Sequence, residues 1–103
     1  MKWKLKSKHL KDLYTKGASK KFKFMDRKLC VKFIERIGRI EAAETIYDLR
    51  EPPSMRFEAL TGYENRFSIR LDGKHRLEFE VEFTNKEKTI GDVTIIEVSK
   101  HYQ

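Results

Sequence analysis

The sequence has few of the residues that form covalent cross-links, metal centres or membrane spans. Its 103 residues include one cysteine, Cys30, so an internal disulfide is excluded, and no CxxC pair or Cys/His cluster has zinc spacing. The N-terminus, MKWKLKSK, lacks the apolar run of a signal peptide. No window approaches the roughly 18 apolar residues of a membrane span. We therefore expect a cytoplasmic protein that uses no metal or other cofactor and has no membrane partner.

The composition is that of a folded, basic protein. Hydrophobic residues make up 39% and aromatic residues 12%, which is too much for a disordered chain, and the length suits a single domain over residues 1–103. Lysine and arginine total 23 against 16 acidic residues, giving a net charge of +7. This excess favours a polyanionic partner, with nucleic acid ahead of a membrane surface.

The first half of the chain has the periodicity of helices. Residues 1–7 alternate lysine with Trp3 and Leu5, which predicts a short edge strand. Helical spacing then predicts one helix over residues 8–16 and a second that begins after an Asp26 cap and ends or bends at Gly38. A further helix is expected over residues 41–49, before the two prolines.

After the prolines the apolar period changes to two, which is typical of strands. Four segments show it: RFEAL, RFSIRL, RLEFEVEF and VTIIEVS. In the last of these, adjacent Ile95 and Ile96 indicate burial on both faces, as in a central strand. The predicted fold class is α+β, with N-terminal helices packed on one face of a small, mostly antiparallel sheet.

The stretch FSIRLDGKHRLEF predicts a hairpin whose register can be inferred. A two-residue Asp72-Gly73 turn would place Ile69 opposite Arg76, so that an apolar residue faces a charged one. A three-residue loop over residues 72–74 instead pairs apolar residues with each other on one buried face. We choose the second register, which places Arg70 directly opposite Arg76 on the other face.

Two opposed arginines are unfavourable by roughly 0.2–1 kcal/mol unless an anion lies near them. One interpretation is a solvated lattice of ion pairs in which Glu78 and Glu80, the diagonal neighbours, neutralise the arginines. The other is that a phosphate binds between the two guanidinium groups, whose geometry suits it. Local sequence leaves both open.

The last strand runs directly into SKHYQ. Lys100, His101 and Tyr102 would supply an anion-binding and acid–base group if this end of the strand were held beside the hairpin. The alternative is a frayed polar tail, which is common at chain ends. A central position for the strand would favour the first interpretation.

The combined pattern DLREPPSMRFEALTG, NRFSIRLDGKHRLEF and VTIIEVSKHY resembles the HigB branch of the RelE-like bacterial toxins. The resemblance implies a small fold with N-terminal helices against a four- or five-stranded sheet. It also implies a type II toxin that cuts mRNA in the A site of the 70S ribosome, without a metal, by attack of a 2′-hydroxyl on the phosphate. The implied protein partner is a helix-turn-helix antitoxin.

The resemblance also implies roles for individual residues. Arg70 and Arg76 would bind the scissile phosphate, and His101 or Tyr102 would act as base with help from Lys100. A HigB terminus would be expected to read Asp-Tyr-His, so the choice between His101 and Tyr102 stays open. Further candidate contacts to RNA are Arg56, Arg66, Lys74 and His75.

Three alternative functions remain at this point. The first is a nucleic-acid-binding module without catalytic activity, which would use the same basic face. The second is a gyrase-targeting toxin of the same fold, which would not need the terminal Lys-His-Tyr. The third is an adaptor whose basic surface binds an acidic protein.

Overall fold

A computed structural model describes residues 1–100 of the chain. Two α-helices and five strands lie within this range: β1 (Trp3–Leu5), α1 (Lys8–Lys16), α2 (Arg27–Ala42), β2 (Glu58–Ala59), β3 (Arg66–Arg70), β4 (His75–Phe83) and β5 (Gly91–Lys100). Two short 3-10 helices, Ile46–Arg50 and Pro53–Met55, connect α2 to β2. Within the same range, no helix is long and apolar enough to cross a membrane.

Both helices begin and end at residues that satisfy free backbone groups. The Ser7 hydroxyl accepts a hydrogen bond from the backbone N–H of Leu10 at 3.2 Å and so caps α1. Gly17 ends this helix in the left-handed conformation, with φ of 73°. The Asp26 carboxylate caps α2 through the backbone N–H of Leu29 at 2.8 Å. The predicted first helix and the predicted start of the second are therefore confirmed.

The prediction for the end of the second helix is wrong. α2 continues through Gly38 to Ala42, because Ile37 and Ile40 on either side are fully buried and their packing outweighs the roughly 1 kcal/mol that glycine costs in a helix.

The helix predicted over residues 41–49 is also wrong. The Asp48 carboxylate accepts hydrogen bonds from the backbone N–H groups of Glu44 and Thr45, at 2.8 and 3.1 Å, and the Thr45 hydroxyl accepts one from Tyr47. These side-chain bonds compete with α-helical ones, and the chain forms a 3-10 helix over Ile46–Arg50 instead.

The five strands form one sheet in the order β1-β5-β4-β3-β2. β1 is parallel to β5, and the other neighbours are antiparallel, which confirms the α+β class and the short edge strand. β5 is an interior strand, as predicted, but the reason given for it holds only in part. Ile95 is buried opposite Phe79, whereas Ile96 lies at a β-bulge, has no partner on β4 and is only partly buried. The hairpin register is confirmed: Arg70 lies opposite Arg76 in the pairing of β3 with β4.

The apolar core lies between the helices and one face of the sheet. Phe33, Ile37 and Ile40 of α2 are buried together with Leu77 and Phe79 of β4. Because side chains alternate along a strand, the same register directs Arg66, Ser68, Arg70 and Arg76 to the other face. We call this second face the polar face.

Candidate active site

Arg76 is a buried cation on the polar face, with only 6% of its surface exposed. Its Nε donates to the Ser68 hydroxyl at 2.8 Å, and its Nη2 donates to the backbone carbonyls of Ser68, at 3.3 Å, and Arg56. Nη2 also lies 3.9 Å from a Glu58 carboxylate oxygen. Its Nη1 makes no hydrogen bond to residues 1–100, so the guanidinium is fixed in place and keeps donors for a ligand.

The surroundings of Arg76 act on its ionisation in opposite directions. Burial lowers the pKa of its guanidinium, the Glu58 carboxylate raises it, and the nearby cations Arg56 and Arg70 lower it further. Arginine remains protonated at physiological pH in spite of such shifts. A buried cation beside other cations is stabilised by any anion that approaches, so this arrangement favours binding of a phosphate.

Arg70 is the less buried member of the pair. Its Nε donates to the backbone carbonyl of Asp72 at 3.1 Å, and its own carbonyl accepts a hydrogen bond from Nε of Arg36 at 2.8 Å. Its guanidinium forms no ion pair with residues 1–100, since none of their carboxylate oxygens lies within 4.0 Å of it. The Arg36 contact fixes the end of β3 and leaves the Arg70 side chain open to an external anion.

The two glutamates expected to neutralise the arginine pair do not do so. Glu80 forms its ion pair with Arg66, at 2.7 Å. Glu78 forms none within the described residues, although its charge contributes to the potential at Arg76. Glu58 of β2 takes the place predicted for them. In the part of the chain that the structure describes, the ion-pair lattice therefore exists at Arg66 and does not extend to Arg70.

The hairpin tip is ordered by Asp72. Its carboxylate accepts hydrogen bonds from the backbone N–H groups of Lys74 and His75, both at 2.8 Å, and contacts Nδ1 of His75 at 2.9 Å. Burial raises the pKa of this carboxyl, but the hydrogen bonds from Lys74 and His75 outweigh burial and lower it overall. The tip is thus a rigid turn, with the Lys74 side chain exposed upon it.

His75 and Lys100 meet on Phe24, which lies in the loop before α2. The His75 and Phe24 rings stack with centroids 5.0 Å apart, and the Lys100 ammonium lies 5.3 Å from the Phe24 centroid. Lys100 is also the residue of β5 opposite His75. Since Arg76 follows His75 and pairs with Ser99, the side chains of His75 and Lys100 point to the helix side of the sheet, opposite to the polar face that carries Arg70 and Arg76. The structure therefore does not bring the Lys100 side chain together with the arginine pair.

Of the other residues predicted to contact RNA or to act as base, Arg56 and Arg66 lie within the described part of the chain. Arg56 is exposed and has a left-handed backbone, with φ of 47°, and contributes its carbonyl to Arg76. Arg66 points to the polar face four residues before Arg70. His101 and Tyr102 lie outside the described residues.

Three residues of this site were missed by the sequence analysis. Glu58 stands on a two-residue strand, which is too short to show a period, and only its pairing opposite Ser68 brings it to Arg76. Ser68 gave no signal beyond its place in the alternation. Arg36 could have been noticed, because it lies next to Ile37 and within the buried face of α2.

The sequence and the fold were compared with known proteins. Residues 3–95 match the family model of a HigB-like toxin, described as a RelE-like toxin of the type II toxin–antitoxin system HigB. No curated protein matches the chain.

Two solved structures share the fold over nearly the whole chain. A YoeB/ParE toxin from Agrobacterium tumefaciens has 17% identity and a TM-score of 0.57, covering 99% of this chain and 100% of that one. A YoeB dimer from Staphylococcus aureus has 18% identity and a TM-score of 0.59, covering 99% and 98%. At these identities the likeness is one of fold.

Proposed function

The chain belongs to the HigB-like family of RelE-like toxins of type II toxin–antitoxin systems, and we propose that it is an endoribonuclease that cleaves mRNA in the ribosomal A site. The observation that carries the proposal is the pairing of Arg70 with Arg76 on the polar face. Arg76 is fixed by buried hydrogen bonds, whereas Arg70 has no ion-pair partner among residues 1–100. Two guanidinium groups in this arrangement suit a phosphate of the RNA backbone.

The proposed reaction begins with the 2′-hydroxyl of the nucleotide before the cleaved bond. Its oxygen attacks the phosphorus, the bond from phosphorus to the 5′-oxygen breaks, and the products are a 2′,3′-cyclic phosphate and a 5′-hydroxyl. The 2′-hydroxyl gives its proton to a base, and an acid gives a proton to the leaving oxygen. Arg70 and Arg76 stabilise the charge of the pentavalent phosphorus, a role in which one fixed donor contributes about 10²–10³ in rate. Side chains can supply each of these groups, so the proposal requires no metal.

Two sets of residues compete for the role of base. Glu58 places a carboxylate 3.9 Å from Nη2 of Arg76, with 51% of its side chain exposed, so a 2′-hydroxyl beside the bound phosphate comes within its reach. His101 and Tyr102 are the candidates implied by the family resemblance. In either case, one group takes the proton and the other is available to protonate the leaving oxygen. Lys100 has no part in this step, because its ammonium lies on Phe24 on the helix side of the sheet.

The wider contacts follow from the basic residues around the site. Lys74 on the hairpin tip, Arg56 and Arg66 are proposed to bind RNA on either side of the cleaved phosphate, whereas His75, stacked on Phe24 on the helix side of the sheet, is not. We place the activity in the cytoplasm, with a helix-turn-helix antitoxin as the inhibitor. Co-expression checks this partner, because the protein should arrest growth alone and be tolerated with the product of the adjacent gene.

The test is translation of a defined mRNA with purified components, followed by primer extension. The wild type is expected to produce cuts within codons, and Arg70→Ala is expected to lower their rate by about 10²–10³. Arg50→Ala removes the same charge from an exposed position on the 3-10 helix Ile46–Arg50 and serves as the control. Absence of cuts with wild type, or equal cutting by Arg70→Ala, would rule the proposal out.

A further inference from the structure

Tyr63 and Arg66 form a stacked pair at one end of the polar face. The guanidinium carbon of Arg66 lies 4.2 Å from the centroid of the Tyr63 ring. Tyr63 belongs to the loop between β2 and β3 and keeps 53% of its surface exposed. The guanidinium stacks on the ring, and the exposed part of the ring can therefore accept a second planar group.

Arg66 is held in a fixed position beneath the tyrosine. Its Nη2 donates to the Glu80 carboxylate at 2.7 Å, and Glu80 is its direct partner across the pairing of β3 with β4. Its Nε is buried and has no hydrogen-bond partner in the part of the chain that the structure describes. Because the ion pair with Glu80 holds the Arg66 guanidinium on the sheet, the Tyr63 ring that stacks on it has a fixed position relative to the sheet.

That place lies along the strand from the proposed phosphate site. Arg66 and Arg70 point to the same face of β3 and are four residues apart, which corresponds to about 13 Å. Single-stranded RNA with a phosphate between Arg70 and Arg76 extends over this length within a few nucleotides. A base near the cleaved bond can therefore reach Tyr63.

We propose that Tyr63 stacks on a nucleobase close to the cleaved phosphate and that this contact contributes to base preference. Aromatic rings and guanidinium planes are the surfaces on which proteins stack unpaired RNA bases. The inference rests on the proposed function for its role in cleavage. The contact itself, a base on Tyr63, can be tested without cleavage.

The chain contains a matched control for this pair. Arg50 lies over the ring of Tyr47 at 4.5 Å, and Tyr47 is 48% exposed, so the chemistry and exposure are nearly the same. This second pair lies on the 3-10 helix Ile46–Arg50 and not on the sheet. An effect that comes from exposed tyrosine in general would appear in both pairs.

The first experiment measures cleavage across an mRNA library with varied codons. Tyr63→Ala is expected to lower the rate at favoured codons by about 5- to 150-fold, the range for loss of one base stack, and to narrow the difference between bases. Tyr63→Phe keeps the aromatic ring and is expected to retain both the cleavage rate and the base preference of wild type. Tyr47→Ala is expected to match wild type. If Tyr63→Ala cleaves with the wild-type rate and preference, the inference is overturned while the proposed function stands.

The second experiment does not depend on catalysis. Ribosomes are programmed with an mRNA that carries 2′-O-methyl groups, which block cleavage, and the fluorescent base 2-aminopurine at successive A-site positions. Stacking on Tyr63 is expected to change the fluorescence at one position with wild type, Tyr63→Phe and Tyr47→Ala, and not with Tyr63→Ala. The same change with Tyr63→Ala, or no change with wild type, overturns the inference. If the fluorescence change depends on Tyr63 but wild type cuts no mRNA in the first experiment, the contact is supported and the proposed nuclease activity is rejected.

Discussion

Arg70 and Arg76 face each other across the pairing of β3 with β4, but the protein holds them in different ways. Arg76 is buried and donates to the Ser68 hydroxyl and to two backbone carbonyls, whereas Arg70 donates, among residues 1–100, only from Nε to the Asp72 carbonyl. Arg76 thus contributes to the stability of the fold through its hydrogen bonds, whereas Arg70 is available to bind an external anion. The two should respond differently to the same substitution.

Arg76→Ala is expected to lower both stability and cleavage, and Arg70→Ala cleavage alone. Without Arg76, the Ser68 hydroxyl and the Arg56 carbonyl lose their donor, and an unsatisfied buried polar group costs about 1–3 kcal/mol. Arg70→Ala should change the free energy of unfolding by no more than about 0.5 kcal/mol. Urea unfolding followed by circular dichroism measures this difference, and primer extension measures cleavage. A loss of stability in Arg70→Ala as large as in Arg76→Ala would contradict the assignment.

A second prediction concerns the close approach of β5 to β4. Gly91 lies opposite Phe83, and a Cβ at this position would lie 2.7 Å from Cγ1 of Val81 and even closer to the Glu82 carbonyl oxygen. Gly91→Ala should therefore destabilise the fold by about 1–3 kcal/mol, as expected for overpacking.

The control for Gly91 is another glycine in a regular element. A Cβ at Gly38, within α2, meets no atom within 4 Å, so Gly38→Ala should stabilise the protein by about 0.4–1 kcal/mol. Unfolding in urea, with both variants at the same pH, gives the sign of the change in unfolding free energy for each variant. If Gly91→Ala stabilises the protein as Gly38→Ala is expected to do, the close strand contact is not where the structure places it.

The hairpin tip should make stability depend on pH. Burial raises the pKa of Asp72, but its hydrogen bonds from Lys74 and His75 lower it more, so the folded pKa lies below the unfolded one. The stabilisation from the ionised carboxylate is present above the unfolded value, about 3.9, and is lost as the pH falls through the folded value. The difference in unfolding free energy between wild type and Asp72→Ala should be largest near neutral pH and shrink below about pH 4. A difference that stays constant down to about pH 2 would refute the carboxylate's role at the tip.

The sequence predicted those parts of the fold that a regular period encodes. The alternation in RFSIRL and RLEFEVEF was enough for the register that opposes Arg70 to Arg76, because a one-residue slip would have exposed the apolar face. The helix expected at residues 41–49 failed for the reverse reason. Its apolar spacing was suitable, but the Asp48 and Thr45 side chains bond the local backbone and favour a 3-10 turn.

The site could be predicted only in part, because its burial depends on segments without a period. Nothing in the local patterns of β3 and β4 distinguishes Arg76 from Arg70. The difference arises where the chain after the prolines places the Arg56 carbonyl over one guanidinium and Glu58 beside it. Both contacts join residues that are distant in sequence, and the second depends on a strand of two residues.

Glu58 is the residue for which this structure makes the sharpest catalytic prediction. Its carboxylate lies 3.9 Å from Nη2 of Arg76 and is half-exposed, as a base beside a bound phosphate should be. Glu58→Gln keeps the shape and the contact but cannot take a proton, so the single-turnover rate of cleavage should fall by about 10²–10⁴. Binding of uncleavable mRNA on the ribosome should change little, since the arginines remain.

The comparison that decides the role of Glu58 uses three further variants. Glu97→Gln removes an exposed carboxylate from β5, the strand next to that of Arg76, and should leave the rate unchanged. His101→Gln and Tyr102→Phe test the competing candidates. If Glu58 is the base, Glu58→Gln shows the full fall in cleavage rate, and His101→Gln or Tyr102→Phe removes the acid. The loss of the base and the loss of the acid each abolish a different limb of the pH–rate profile. Wild-type cleavage by Glu58→Gln, together with a loss of about 10²–10⁴ in His101→Gln, would instead place the base at the C-terminus and leave Glu58 the task of orienting Arg76.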